Sequence, residues 1–156
     1  MKKIQLDLNG IHEYQQNRYP YLLIDFAEEI IPGKSAKGYK DLSLDDWWFE
    51  VHFPGDPNMP GALQIEAMVQ LGALMVTTLP GNKGKVVYLS SANNLRLKKK
   101  VLPGDRFNIN TELLSWKRGV GKAIGSGYVN NREVCSIDFI IVMPHIIDEY
   151  KVKKNL

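Results

Sequence analysis

The sequence predicts an α+β fold in which a curled antiparallel sheet encloses one long helix. Three observations carry this. Residues 60–79 are the one long apolar run with a stop signal at each end. Five or six other segments read as strands, and they do not alternate with helices, which excludes the βα units of a parallel sheet. The helix is also apolar almost all round, so it needs cover on most sides. A single sheet wrapped around it, with a second copy of the chain behind, supplies that cover.

Residues 21–31 are rich in apolar and β-forming types and read as a first strand. Pro32-Gly33 then makes a turn, and residues 35–41 a return strand. Residues 44–51 are aromatic and acidic and fit no period. The next ten residues, His52-Phe-Pro-Gly-Asp-Pro-Asn-Met-Pro-Gly61, are dense in proline and glycine and lead into the helix. Pro60 suits a first helical turn because its missing N–H has no intrahelical acceptor there. Pro80-Gly81 ends the helix. Residues 85–91 read as a strand. Residues 105–116 alternate, with Phe107, Ile109, Thr111 and Leu113 on one face and Asn108, Asn110 and Glu112 on the other. Residues 122–129 and 133–143 flank Asn130-Asn131, a two-residue hairpin turn, and Cys135, Ile137, Phe139, Ile141 and Met143 share one face of the second.

A length of 156 residues fits one domain over the whole chain, 1–156, with a polar, lysine-rich tail expected to fray over 148–156. Hydrophobic content of 44% and charged content of 24% are those of a globular protein, and a net charge of +3 does not by itself indicate nucleic acid. The single cysteine, Cys135, excludes an intrachain disulfide and reads as a buried core thiol. Residues 1–10 hold two lysines with no apolar run after them, unlike a secretory signal. Gln64, Glu66 and Gln70 interrupt the apolar helix, unlike a membrane span. A cytoplasmic location is the expectation.

Within that helix Glu66 is the anomaly. Its neighbours are apolar, and residues 62–79 contain no lysine or arginine. A carboxylate there is costly unless hydrogen-bonded or protonated. Gln70, one turn on, is placed to bond it. The plain alternative is one exposed position on a mostly buried helix. His52 opens the proline- and glycine-pinned segment and suits proton abstraction near neutrality, or is simply bonded to its own loop. Gly61 and Ala62 stand at the helix start, where free N–H groups and the positive dipole end can hold a polarised carbonyl oxygen or merely water.

The segment His52 to Gly61, followed by Ile65-Glu66-Ala67-Met68-Val69-Gln70, resembles the signature of the FabZ-type 3-hydroxyacyl-(acyl carrier protein) dehydratases, in which the histidine and acid are fourteen residues apart as here. Arg18-Tyr-Pro-Tyr-Leu-Leu-Ile-Asp25, Lys98-Lys-Lys-Val-Leu-Pro-Gly-Asp105, Lys117-Arg-Gly-Val-Gly-Lys122 and Val134-Cys135 extend the similarity over roughly residues 13–143. The resemblance implies a hotdog fold, a curled antiparallel β-sheet wrapped around one long central helix. It implies a homodimer or trimer of dimers with the active site at the dimer interface. His52 would take the C2 proton of a 3-hydroxyacyl thioester, Glu66 of the partner subunit would protonate the departing hydroxyl, and the Gly61 N–H would hold the carbonyl. No metal or redox cofactor is implied. Tyr88 falls where the family often has an aromatic gating its acyl tunnel, and would otherwise be strand core. Glu66 rather than aspartate favours the plain dehydratase over the isomerising relative. The sequence departs from the family's usual pattern at Gln16-Asn17, Leu97 and Lys100.

Acyl carrier proteins are acidic, and the basic cluster Arg96, Lys98, Lys99, Lys100, with Lys117, Arg118 and Lys122 beyond, is the expected docking rim. The alternative is a solvated lysine-rich surface; no nucleic-acid motif accompanies it. A hotdog thioesterase and a non-catalytic acyl-binding hotdog are the competing functions. Having both His52 and Glu66 argues against the second, and Met59-Pro60-Gly61 against the first. Gly33-Lys34-Ser35 lacks the first glycine of a phosphate-binding loop, since position 28 is Glu28. The glycines at 119, 121, 125 and 127 have no helix after them and are no dinucleotide fingerprint.

Overall fold

The structure, a computed structural model, describes residues 1–151. In chain order the elements are β1 (Ile4–Leu6), α1 (Leu8–Tyr14), β2 (Phe26–Ile31), β3 (Ser35–Asp41), α2 (Gly61–Thr77), β4 (Tyr88–Leu97), β5 (Arg106–Lys117), β6 (Val120–Val129), β7 (Arg132–Val142) and α3 (Pro144–Glu149). The strands form one antiparallel sheet in the order β1-β2-β3-β5-β6-β7-β4. This sheet curls around α2, which touches β2, β3, β5, β6 and β7. The result is the hotdog arrangement. Among the described residues no helix is long and apolar enough to cross a membrane.

The alternation in β5 and β7 fixes which face is inside. Phe107, Ile109, Thr111 and Leu113 are buried, as are Cys135, Ile137, Phe139, Ile141 and Met143, and they meet the apolar wall of α2. Asn130 and Asn131 both have positive φ, 49° and 62°, the backbone of a tight hairpin turn between β6 and β7. Close packing also explains Gly127 of β6. A β-carbon there would lie 2.6 Å from Cys135 Sγ and 2.6 Å from Phe107 Cζ, and both neighbours are 0% exposed. Overpacking of this kind costs about 1–3 kcal/mol, so Gly127→Ala is expected to lower the denaturant midpoint with little change in the slope of the transition.

Several element boundaries differ from the sequence expectation. Residues 21–25 are not strand: Leu22, Leu23 and Ile24 are buried, but Leu23 N–H bonds a glutamine side chain rather than a neighbouring strand. β4 begins at Tyr88 and runs to Leu97, later and longer than 85–91. β1 and α1 were not expected. α1 is capped by Asp7, whose carboxylate accepts the Gly10 N–H at 2.9 Å. The tail expectation is corrected in part: Asp148 and Glu149 close helix α3, begun by Pro144 at its first turn. Residues 152–156 lie outside the described residues.

Candidate active site

The N-terminus of α2 organises the site. Leu63 and Gln64 give the first helical hydrogen bonds to the Pro60 carbonyl, both at 3.0 Å, so the N–H groups of Gly61 and Ala62 stand ahead of the ladder and point out of the helix. Gly61 lies close to the end of β4: a β-carbon there would require the exposed Leu97 side chain to move aside.

His52 is held by the loop before this helix. Its N–H donates to the Trp48 carbonyl at 2.9 Å, and its own carbonyl accepts from Asn58 N–H at 3.1 Å. The ring Nδ1 lies 3.2 Å from the Asn58 carbonyl oxygen. A carbonyl can only accept, so Nδ1 carries the hydrogen and the neutral ring has its lone pair on Nε2. Phe53 stacks on the ring at 4.2 Å between centroids. The loop is clamped beyond the ring as well. Phe53 and Asp56 exchange two backbone bonds of 2.9 Å, and Met59 N–H reaches the Val101 carbonyl at 2.8 Å. The Asp56 carboxylate pairs with Lys100 Nζ at 2.7 Å. The imidazole is half-buried and braced through Nδ1.

Glu66 is half-buried on α2. Its Oε1 accepts from Gln70 Nε2 at 3.0 Å, as its position one turn away predicts. Both Gln70 donor hydrogens are used: Nε2 also donates to the Tyr21 carbonyl at 2.8 Å, while Oε1 accepts the Leu23 N–H at 2.8 Å. One buried amide thus ties the segment before β2 to the acid. Burial first, and the Glu66 charge second, push the Tyr21 hydroxyl above its ordinary range. Tyr21 was missed from the sequence, since its segment reads as strand.

Glu66 and Gln70 open onto a cavity of about 300 Å³ that runs down one face of α2 by Val69, Ala73 and Thr77. The opposite wall is Val86, Val87 and Tyr88. The structure therefore brings Glu66, Gln70 and Tyr88 together on one cavity. His52, Gly61 and Ala62 are not among its lining residues in a single chain; they sit at the N-terminal side of α2. In the basic cluster, Lys98 pairs with Glu133 and Lys100 with Asp56, while Arg96 and Lys99 have no carboxylate partner among the described residues. Cys135 lies in the core, where burial pushes its thiol up to about 12, and it is no nucleophile at neutral pH.

Three comparisons bear on this arrangement. A family profile described as the FabA-like domain matches residues 16–138. The 3-hydroxyacyl-(acyl-carrier-protein) dehydratase FabZ of Clostridium novyi (strain NT) is 40% identical over 138 residues, which span 87% of this chain and 97% of that protein. The protein of the same name from Syntrophomonas wolfei is 38% identical over 143 residues, 92% of this chain and 99% of its own. Among solved structures, the dehydratase heterocomplex ApeI:P from Xenorhabdus doucetiae superposes with a TM-score of 0.75 at 15% identity, covering 86% of this chain and 90% of that one, which is a likeness of fold.

Proposed function

The chain belongs to the FabA-like family, and from that premise we propose that it is a 3-hydroxyacyl-(acyl carrier protein) dehydratase, which removes water from a 3-hydroxyacyl thioester to give the trans-2-enoyl thioester. The observation that carries the reading is a half-buried carboxyl, bonded on one oxygen by Gln70, at the mouth of a cavity in an apolar helix wall. That is where a proton donor for a poor leaving group belongs.

The chemistry balances without further groups. Nε2 of His52 takes the C2 proton while the Gly61 N–H, at the positive end of α2, holds the thioester oxygen as charge builds on it. The C2–H electron pair forms the C2=C3 bond, and the C3–O bond breaks as protonated Glu66 delivers its hydrogen to the oxygen. Water leaves. The imidazolium then returns its proton to the carboxylate, and the site is reset.

The base and acid come from two copies of the chain in this reading. β4 supports it. This ten-residue strand pairs with β7 on one side and ends the sheet, and Tyr88, Leu89, Leu95 and Leu97 on it are exposed. A ten-residue strand with one edge unpaired invites another strand. Antiparallel pairing of β4 with its own copy continues the sheet through a two-fold axis and brings Tyr88 and Leu97 into the interface. The acyl carrier protein would approach over Arg96 and Lys99, beside the Lys100–Asp56 pair that braces the His52 loop.

The test is incubation of purified protein with a trans-2-enoyl thioester. Loss of enoyl absorbance, with the thioester intact, is expected. Release of free thiol without hydration would replace the dehydratase with a thioesterase.

A further inference from the structure

The far end of the cavity is built unlike its middle. Between Glu66 and Thr77 the α2 wall is Val69, Gln70 and Ala73, with Val86 and Val87 on the same cavity, and the Gln70 amide is already bonded to Glu66, Tyr21 and Leu23. At the end two polar side chains line the same space with nothing to bond. Gln15 is 4% exposed, yet neither Oε1 nor Nε2 has a partner among the described residues; Thr77 is 0% exposed, and its Oγ1 has none among them either. Leaving such groups unpaired is costly, whereas an apolar side chain of similar shape would sit there without that penalty. The surroundings are not short of acceptors. The adjacent Gln16 amide donates to the Gly84 carbonyl at 2.7 Å. Gln15 is also fixed in place by its backbone: its N–H donates to the Ile11 carbonyl at 3.1 Å, and its carbonyl accepts from Arg18 Nη1 at 2.7 Å.

Thr77 lies three turns along α2 from Glu66, about 16 Å at 1.5 Å per residue. A chain whose reacting carbons sit at Glu66 therefore reaches the polar end with its far terminus. We propose that Gln15 and Thr77 form a recognition site for an uncharged hydrogen-bonding group, a hydroxyl above all, at the far terminus of the acyl chain. The amide offers one donor atom and one acceptor atom, and the threonine hydroxyl either role, which matches a hydroxyl. Both groups are neutral and buried, so a charged terminus would lose its water without a counter-charge. Lys85 lines the cavity but is exposed. The inference rests on the dehydratase reading and adds to it the class of acyl chain.

The experiment compares matched pairs of trans-2-enoyl thioesters, methyl-ended and hydroxyl-ended, over a ladder of chain lengths. At the length that spans the cavity, kcat/KM for hydration is expected to favour the hydroxyl-ended chain by about tenfold or more. In Gln15→Leu the ratio is expected to fall toward one. Thr77→Val, nearly isosteric, gives the same readout should the first variant fold poorly. Hydration of both chains with equal kcat/KM at every length would overturn the inference alone and assign the polar pair to a trapped water. Faster turnover of a carboxyl-ended chain than of the hydroxyl-ended one would overturn the uncharged class. No hydration of any chain would overturn the dehydratase reading and the inference with it.

Discussion

His52→Ala is expected to slow hydration of a trans-2-enoyl thioester by about 10²–10⁴-fold, the usual contribution of a positioned general base or acid. The protein should stay folded. Its backbone bonds at this position, to the Trp48 carbonyl and from Asn58 N–H, do not depend on the ring, and the loop keeps the Phe53–Asp56 pair and the Lys100 tie. Only the Nδ1 contact to Asn58 and the stack on Phe53 are lost. Enzyme kinetics beside a thermal melt separate the two effects. Wild-type rate in the variant would remove the imidazole from the mechanism.

Glu66→Gln is expected to cost a similar factor, because an amide cannot give up a proton to a leaving hydroxyl yet fits the same space and can still accept from Gln70 Nε2. The pair of variants also reports which chains supply the two groups. Coexpressed as mixed dimers, His52→Ala and Glu66→Gln protomers would rebuild one intact site per heterodimer if base and acid face each other across the interface. Random association then restores about a quarter of wild-type activity. If both groups act within one chain, every site in the mixture lacks one of them, and activity stays at the level of the single variants.

The helix and its limits were legible in the sequence, since Pro60, Pro80 and Gly81 punctuate a run whose apolar residues have no other home. The faces of β5 and β7 were legible for the same reason: period-two alternation leaves one choice of inside. Residues 21–25 misled because burial was mistaken for pairing. Leu22, Leu23 and Ile24 have strand composition, but they are buried in the core without a strand partner, and the Leu23 N–H is tied to Gln70. β4 runs on past the expected end at residue 91, through an irregularity that no period in the sequence encodes. In the structure Asn94 takes positive φ inside the strand, where the register to β7 shifts. α1 has a glycine within it and a single buried residue, Ile11, too little periodicity to detect.

Of the site, Glu66 and Gln70 were legible because a bare carboxyl on an apolar helix demands a partner one turn away. Tyr21, the Asn58 carbonyl and the unpaired amide of Gln15 were not, because each matters through a tertiary neighbour that no spacing rule encodes.

The Gln70 amide settles one detail of the acid's chemistry. The Leu23 backbone N–H can only donate, so the amide oxygen must face it, and the amide nitrogen must face Glu66. Oε1 is therefore kept as a receiver, and a hydrogen on the carboxyl is driven to Oε2. In the proposed mechanism, a peptide group outside the helix thus dictates, through two hydrogen bonds, which oxygen of Glu66 delivers the proton.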